Sequence, residues 1–442
     1  MTRKIMNESF HTEYSALLKE TCISATHPSG LEIRLVPKST ASYAIVLAAQ
    51  CGSLNGMIPT ASEPKHAPRG TAHFLEHQLF GSEDDERFAR LGAEVNAYTS
   101  YDRTAYTAGC TDHFEEVLFG LLSMVMHPAF DDASVEKERP IITEEIRMNQ
   151  DSPWERCYAN LLRAMYRHHG IRDEICGSEA SIAKVTADLL RVCHQVFYRP
   201  SNMVLAVSGP ASMDEVWQTV DRVFGTWDYL PVIPVERSLA EPCSVGKERV
   251  EQRMPHIDEK AVFCIGIKDR ILSVTPQERL KQELIMTILS DMLFSRSGRF
   301  YNDLFEEGMV SSGFSGDYAL GDGYALYALT GEADDPQYVF ERFKTYVDEL
   351  HKNGLPQDDF ERSRRVLYAN FVTGFDSPED IVQSLMNDTL DGLSVFDFLR
   401  MADEITFEDV EYEFKTNFCS GAYTLSVVHG CDLETDESKE VL

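Results

Sequence analysis

The chain has 442 residues, of which 43% are hydrophobic and 10% aromatic, so we expect two or three domains rather than one core. Its 41 basic and 72 acidic residues give a formal net charge of −31. This charge argues against nucleic acid or an anionic membrane surface as partner, because phosphate binding needs clustered Lys and Arg. No apolar run approaches the roughly 18 residues of a membrane span, and no apolar signal core follows the N-terminus. The ten cysteines include no Cys-x-x-Cys pair, which favours reduced thiols and a cytoplasmic location.

The first part of the chain alternates predicted strands and helices. After a polar lead-in with a short helix around Tyr14–Lys19, an alternating pattern predicts a strand at 30–37. The continuous apolar run Tyr43–Ala49 predicts a more buried strand. A loop rich in Gly, Pro, Ser and Thr over 52–69 then leads to a helix that begins near Gly70.

A hairpin and a series of helices are predicted next. Two β-prone runs on either side of Ser100–Arg103 predict a hairpin over Leu91–Gly109. Helical periodicity then recurs in five segments: Phe114–Met126, Asp132–Gln150, Trp154–His168, Ser181–Phe197 and Met213–Phe224. A buried strand, Asn202–Ser208, precedes the last helix and ends at Gly209.

The order of elements then starts again. Residues 228–246 contain three prolines and little periodicity, which is typical of a linker. Beyond them a strand at Lys260–Ile267, a long helix at Gln277–Phe294 and a Gly-rich strand pair at Gly313–Thr330 are predicted. The strand Ala422–Val428 ends near Gly430 as the earlier one ends at Gly209, and 430 − 209 = 221 is half of 442. We therefore predict a first domain at 1–227, a linker at 228–246 and a second, homologous domain at 247–442.

The segment His73-Phe-Leu-Glu-His77 carries the first chemical signal. On a helix the two histidines lie one turn apart, about 40° from the same face, with Glu76 about 60° from His73 on the other side. Two imidazoles at this spacing can hold one zinc ion, and the carboxylate can reach the attacking water. The alternative is that both histidines are structural, because the pattern arises by chance in roughly 3% of chains of this composition.

A hydrolytic zinc site needs a third protein ligand, and the helix over 134–149 offers several carboxylates. At about 100° per residue, Glu138 and Glu145 fall within the apolar sector, whereas Glu136 and Glu144 point to solvent. A carboxylate on a buried face needs a partner, for which a zinc ion or an internal Arg are the alternatives. Pro140 is expected to kink or restart this helix.

Four motifs now give the chain a family resemblance: His73-Phe-Leu-Glu-His77, Asn96-Ala-Tyr-Thr-Ser100, Glu136-Lys-Glu-Arg with Glu144-Glu-Ile146, and Tyr198-Arg-Pro-Ser-Asn-Met203. The chain resembles the pitrilysin/insulinase family of zinc metallopeptidases (the inverzincins), especially the short bacterial branch related to mitochondrial processing peptidase. The resemblance implies an α+β fold of two tandem homologous α/β-roll domains, each a mostly antiparallel sheet packed with helices. Only the first domain carries the zinc motif.

The resemblance also implies roles for individual residues. His73, His77 and Glu145 would bind Zn²⁺, Glu76 would act as general base, and Glu138 would support the site. The implied activity is that of a zinc-dependent endopeptidase acting on peptides or small unfolded segments.

Two further expectations concern substrate and partners. The family adds the peptide as a strand along an exposed sheet edge, which points to the hairpin strand with Asn96 and Ala97. Self-sufficient members place an Arg and, seven residues later, a Tyr in the second domain, and the aligned stretch Leu304–Ser312 has neither. The chain would then act as a heterodimer or homodimer with a related family member. The alternative is a catalytic or scaffolding subunit that is inactive without its partner.

Overall fold

The structure, a computed structural model, describes residues 10–58, 65–227, 229–231, 241–255, 260–270 and 275–431. It contains two large sheets and fifteen α-helices within these residues. Residues 228 and 232–240 of the predicted linker at 228–246 lie outside the described residues, and the linker stays a prediction.

The first sheet has seven strands, and a separate two-stranded ribbon lies in the loop that precedes the motif helix. These nine strands are β1 (His11–Ser15), β2 (Glu20–Thr26), β3 (Glu32–Pro37), β4 (Tyr43–Ala49), β5 (Met57–Ile58), β6 (Lys65–His66), β7 (Glu94–Thr99), β8 (Thr104–Cys110) and β9 (Met203–Gly209). The large sheet has the order β1-β2-β3-β9-β4-β8-β7, so β7 forms one edge. All its pairs are antiparallel except β3 with β9.

Eight helices accompany these strands along the chain. They are α1 (Thr71–Leu79), α2 (Ser82–Ala89), α3 (Phe114–Met126), α4 (Asp132–Asp151), α5 (Pro153–Met165), α6 (Glu179–Ile182), α7 (Ala187–Phe197) and α8 (Met213–Phe224). The predicted helices at Phe114–Met126 and Met213–Phe224 are confirmed with the same bounds. The hairpin predicted to turn at Ser100–Arg103 is also confirmed, as β7 and β8.

The second sheet has five strands: β10 (Arg249–Met254), β11 (Ala261–Lys268), β12 (Ser315–Gly321), β13 (Tyr324–Ala333) and β14 (Tyr423–Gly430). The helices along this part of the chain are α9 (Pro276–Phe294), α10 (Arg299–Glu306), α11 (Pro336–Asn353), α12 (Gln357–Gly374), α13 (Pro378–Leu390), α14 (Asp397–Glu404) and α15 (Phe407–Asn417).

The predicted repeat is visible in the strand order. The second sheet runs β10-β14-β11-β13-β12, and the first contains β3-β9-β4-β8-β7. In each series the last strand of the chain lies between the first two, parallel to one and antiparallel to the other. Helix α9 follows β11 as α1 follows β4, but it carries no His-x-x-Glu-His motif. The predicted α+β class with two similar sheets is confirmed.

The short helix predicted around Tyr14–Lys19 is wrong, because Tyr14 and Ser15 end strand β1 and residues 16–19 form the turn of a β-hairpin. Strand β1 pairs antiparallel with β2, and Lys19 adopts a positive φ of 57° in the turn between them. Because β1 is an edge strand and mostly exposed, its sequence lacks the apolar alternation that indicates a strand.

The two compact units of the structure differ from the two predicted domains in two segments: residues 147–173 belong to the second unit and residues 370–397 to the first. The first unit comprises the described residues of Met1–Ile146, Glu174–Arg237 and Asn370–Asp397, and the second comprises the rest. Helix α5 joins the second unit because it packs on β11 and β14, and α13 joins the first because it packs on β4 and β9. None of the helices in the described part of the chain is long and apolar enough to cross a membrane.

Candidate metal centre

The motif helix α1 begins at a glycine that the local backbone requires. Gly70 has φ +84°, and a Cβ added to it would lie 2.4 Å from the carbonyl oxygen of Cys176. An L-residue would therefore meet both backbone strain and a clash at this position. The absent side chain lets the chain around Cys176 pack against the first turn of α1.

Helix α1 carries polar groups into a largely apolar environment. Phe74, Leu75 and Leu79 are buried in the core beneath the first sheet, with exposures of 3% or less. His73 and Glu76 share this burial, with exposed fractions of 7% each. Buried groups of this kind need polar partners, which the neighbouring elements supply.

Helix α4 brings the predicted carboxylates to the motif helix. It runs without interruption from Asp132 to Asp151 through Pro140, so the expected kink or restart is absent. Val135, Ile142 and Ile146 are buried as predicted. Glu138 and Glu145 lie beside this buried face of the helix and are themselves half-buried. Glu136 and Glu144 are exposed, as the helical wheel predicts.

Glu145 contacts both histidines of the motif. Its Oε1 lies 3.2 Å from His73 Nε2, and its Oε2 lies 3.2 Å from His77 Nε2. The other ring nitrogen of His77, Nδ1, lies 3.0 Å from Glu138 Oε1. The structure thus brings four predicted residues together: Glu145 contacts His73 and His77, and Glu138 contacts His77. The partners of Glu138 and Glu145 are imidazoles and not the internal Arg of the alternative interpretation.

Arg139, on helix α4, pairs with other groups than Glu138 and Glu145. Arg139 pairs with Glu136 and donates hydrogen bonds to the carbonyl oxygens of Ile182 and Val185. Its guanidinium also lies over the Phe74 ring, 5.6 Å from the centroid. Arg139 therefore ties α4 to α1 and to the chain that follows Cys176.

The carboxylates make the centre attractive to a cation. Burial alone would lower the pKa of His77, but hydrogen bonds to Glu138 and Glu145 raise it to about 9. The hydrogen bonds from His73 and His77 hold the pKa of Glu145 well below its usual range. A divalent cation would satisfy the same acceptors that now favour a protonated imidazole.

Glu76 has a partner that the sequence did not reveal. The hydroxyl of Thr99, at the end of β7, donates to Glu76 Oε2 at 2.6 Å. The Thr99 hydroxyl also lies 3.2 Å from the hydroxyl of Thr104. Each hydroxyl has one proton to donate, and Thr99 donates its proton to Glu76. Thr104 in turn donates to the carbonyl oxygen of Cys51 at 2.6 Å. This arrangement fixes one oxygen of Glu76 and leaves the other for a second partner.

Cys176 is a second residue that sequence reasoning missed. Its Sγ lies 3.8 Å from His73 Nε2 and 3.7 Å from Glu145 Oε1. Among the described residues, the compact group of three metal-binding donors is His73, Glu145 and Cys176, all within 4.8 Å of one another. A single cysteine without a characteristic spacing gives no signal in a sequence, because only the fold brings it to the motif helix.

The predicted substrate residues lie on the edge strand β7. Its side chains alternate, with Asn96 exposed and Ala97 and Thr99 half-buried on the other face. The Asn96 side-chain oxygen accepts from the Ala97 N–H at 2.8 Å. Of the two predicted residues, Ala97 therefore shares the face of Thr99 and Glu76, and Asn96 points to the opposite face.

Comparison with known proteins gives the family. Residues 38–179 match the family described as insulinase (peptidase family M16), and residues 184–367 match the peptidase M16 inactive domain. A Bacillus subtilis protein named uncharacterized zinc protease YmfH is 31% identical over 420 residues, which cover 93% of this chain and 97% of the relative. Another from the same organism, uncharacterized zinc protease YmxG, is 28% identical over 70% of this chain and 75% of its own length. The chain belongs to the insulinase (M16) family of peptidases.

Solved structures agree with the two-sheet architecture. An M16-like peptidase from Alicyclobacillus acidocaldarius has a TM-score of 0.88 at 28% identity and covers 96% of this chain and 99% of its own. A protease from Helicobacter pylori has a TM-score of 0.79 at 17% identity, with 92% of this chain and 98% of its own covered. The second likeness supports the fold alone.

Proposed function

We propose that the chain is a zinc-dependent endopeptidase that cleaves peptides or small unfolded segments. One observation carries this proposal: Glu145 meets the Nε2 atoms of His73 and His77 through its two oxygens, each at 3.2 Å. Two imidazoles and one carboxylate form a donor set that catalytic zinc sites use, with a further position left for water or substrate. The names of the relatives, zinc proteases, support the same metal.

His73, His77 and Glu145 would hold the zinc ion, which when bound supplies Lewis acidity toward the attacking water and the scissile carbonyl. Glu138 supports this set because it accepts from Nδ1 of His77 at 3.0 Å. That bond leaves Nε2 of His77 with its lone pair directed to the centre. Carboxylate partners of this kind fix the ring orientation and raise the basicity of the ligand.

Glu76 is the proposed catalytic base. It follows His73 by three residues on α1, and the residue is only 7% exposed, so few waters compete for its oxygens. Thr99 holds Oε2 at 2.6 Å, and the other oxygen, Oε1, would take the proton from the attacking water. The same oxygen would then deliver this proton to the leaving amine.

The proposed substrate path follows the edge of the first sheet. Strand β7 is the last strand of that sheet, and its half-buried face carries Ala97 and Thr99, the second of which binds Glu76. A peptide added antiparallel to this edge would gain main-chain hydrogen bonds without a demand for a particular sequence. The Asn96 side chain now holds the Ala97 N–H and would release it to the incoming strand.

Glu76→Gln tests the proposed activity. The amide keeps an oxygen that accepts from Thr99, so we expect zinc content and folding to match wild type. Peptide hydrolysis should fall by roughly 10²–10⁴-fold, because the amide cannot accept the proton. Glu144→Gln is the matched control, since this exposed carboxylate lies on α4 beside Glu145. Hydrolysis by Glu76→Gln at the rate of the control would refute the mechanism.

A second candidate is a catalytic subunit that needs a related partner chain. The arginines and tyrosines near the aligned stretch have local partners: Arg296 donates to the carbonyl of Ser312 at 2.8 Å, and Tyr318 donates to Asp269 at 2.7 Å. Tyr301 is buried among phenylalanines. We expect low turnover by the chain alone and recovery when a related family chain is added. Full turnover by the isolated monomer would exclude this candidate.

The cytoplasm is the location that we propose. All ten cysteines are thiols without a disulfide bridge, and six of them lie in the first unit or in α5. Reduced thiols in this number are typical of proteins in reducing compartments. Thiol titration of protein purified under non-reducing conditions would test this location, and a disulfide in freshly isolated protein would contradict it.

A further inference from the structure

The Cys176 sulfur lies at the separations expected of a metal ligand from two of the proposed zinc donors, His73 and Glu145. In a tetrahedral zinc site with metal–sulfur bonds of about 2.3 Å and metal–nitrogen or metal–oxygen bonds of about 2.1 Å, sulfur lies about 3.6 Å from the other donors. The observed separations are 3.8 Å to His73 Nε2 and 3.7 Å to Glu145 Oε1. The expected separation between nitrogen and oxygen donors is about 3.4 Å, and His73 Nε2 lies 3.2 Å from Glu145 Oε1.

The backbone around Cys176 is fixed against the start of the motif helix from both sides. A Cβ on Gly70 would lie 2.4 Å from the carbonyl oxygen of Cys176, and a Cβ on Gly177 would lie 2.5 Å from the carbonyl oxygen of Arg69. Both glycines have positive φ, +84° and +75°. The hydroxyl of Ser181 also donates to the carbonyl of Arg69 at 2.8 Å. These reciprocal contacts set the distance between the sulfur and the first turn of α1.

The same segment is attached to the helix that carries the carboxylates. Arg139, six residues before Glu145 on α4, donates to the carbonyl oxygens of Ile182 and Val185. The three parts of the chain that supply donors are thus joined by hydrogen bonds from side chains to backbone carbonyls. All of them belong to the first unit.

We propose that Cys176 is a fourth metal ligand that closes the coordination shell of the resting enzyme and is displaced when a peptide binds. This inference rests on the proposed zinc site of His73, His77 and Glu145. On closure the thiol gives its proton to solvent, a metal–sulfur bond forms and one water leaves. On opening the sulfur takes up a proton from solvent, and the position becomes available to water and the substrate carbonyl.

Binding of the Cys176 sulfur to the metal, here called closure, would affect the kinetics of peptide hydrolysis. Sites with four protein ligands are typical of structural zinc, whereas a hydrolytic site keeps one position open. When only a fraction of the enzyme is open, the apparent dissociation constant of the peptide rises by the inverse of that fraction. Removal of the sulfur should therefore lower KM for peptide hydrolysis, with the effect falling on KM rather than on kcat.

Cobalt spectroscopy of the full-length chain tests the ligand directly. Cobalt(II) replaces zinc in such sites, and a thiolate ligand adds an intense near-ultraviolet charge-transfer band that imidazole and carboxylate ligands lack. We expect this band in the wild type and in the control Cys243→Ser, whose side chain is exposed in the second unit. Cys176→Ser should still bind cobalt and should lose the band.

The outcomes separate this inference from the proposed function. A wild-type chain that binds cobalt through the histidines but shows no thiolate band overturns the role of Cys176 and leaves the zinc site intact. A band that persists in Cys176→Ser also overturns it. No cobalt binding by the wild type would overturn both proposals.

A second measurement guards against misfolding of the variant. In the wild type, zinc should slow alkylation of Cys176, located by peptide mapping, while alkylation of the exposed Cys243 stays unchanged. A Cys176 that reacts at the same rate with and without zinc would contradict ligation. A KM for Cys176→Ser equal to or above that of wild type would contradict closure.

Discussion

At the residue scale, two adjacent glutamates show how helical phase selects function. Glu144 and Glu145 differ by about 100° around α4, and only Glu145 reaches the two histidines. The sequence distinguishes them because Val135, Ile142 and Ile146 mark the buried face. The same reasoning places Glu138 seven residues earlier, where it contacts the outer nitrogen of His77.

Cys176 and Thr99 are site residues that helical periodicity could not predict. Both contact predicted residues, yet they come from a loop and a strand end whose positions depend on tertiary packing. Helical periodicity relates residues within one element and says nothing about which loop packs on it. Gly70 and Gly177 are the local features behind the approach of Cys176, and a glycine alone does not indicate its neighbour.

Thr99 should act as a positioning residue for the base. In Thr99→Val the hydroxyl is replaced by a methyl group of similar size, so Glu76 loses its 2.6 Å hydrogen bond. Hydrogen bonds to charged groups contribute about 1.5–3 kcal/mol, so we expect kcat to fall roughly 10- to 100-fold. Steady-state kinetics on a fluorogenic peptide measures this fall in kcat.

Thr99→Ser is the matched control, because it keeps the hydroxyl that donates to Glu76. It should retain most of the activity that Thr99→Val loses. Equal kcat values for the valine variant and the wild type would contradict the positioning role.

At the element scale, long periodic segments were predicted well and the edges of the fold were not. Helices α3 and α8 match their predicted bounds because both have a buried apolar face. The helix predicted around Tyr14–Lys19 is instead the end of strand β1 and the turn after it, where the chain is mostly exposed and polar. Pro140 was expected to interrupt α4, but the helix continues through it, with the packing of Val135 and Ile142 on either side.

Helix α15 carries a buried carboxyl that gives a pH-dependent prediction. Burial, followed by the nearby Asp269 charge, raises the pKa of Glu413 from 4.5 to about 7. The protonated form is thus favoured in the folded state, and this stabilisation, complete below about pH 4.5, is lost as pH rises toward 7. Glu413→Gln should therefore raise the unfolding free energy at pH 8 by roughly 1–2 kcal/mol, allowing for solvent screening.

The measurement is denaturant unfolding at pH 5 and pH 8. The amide retains an oxygen that accepts from Asn417, whose Nδ2 lies 2.8 Å from Glu413 Oε2. Glu408→Gln, an exposed position on the same helix, should change the unfolding free energy by less than about 0.5 kcal/mol. Equal gains at both pH values would show that the effect is not protonation.

At the scale of the whole molecule, the position of a helix along the chain does not always tell which sheet it packs on. The repeat of strand order follows from the sequence pattern, and β9 and β14 occupy equivalent positions. The exchange of α5 and α13 was not predictable, because apolar periodicity shows that a helix face is buried without showing what covers it. Helix α13 packs Ile381, Leu385 and Met386 on the first sheet against residues of β3, β4 and β9.

This exchange predicts that residues 1–227 do not fold alone. Burial of an aliphatic side chain contributes about 1.5–3 kcal/mol, so the apolar residues of α13 together contribute roughly 10 kcal/mol. This equals the net stability of an ordinary domain, about 5–15 kcal/mol. We expect the 1–227 fragment to aggregate or bind a hydrophobic dye, and co-expression with residues 370–397 to increase its solubility. A monomeric, cooperatively melting 1–227 fragment would contradict the exchange.

The central claim is that His73, His77 and Glu145 form one metal site, and zinc retention tests it most directly. Wild type and Glu144→Gln, dialysed against a competing chelator, should keep one zinc ion per chain. Glu145→Gln and His77→Ala should lose it under the same conditions, as measured by elemental analysis. Zinc retained by Glu145→Gln as tightly as by Glu144→Gln would contradict the account.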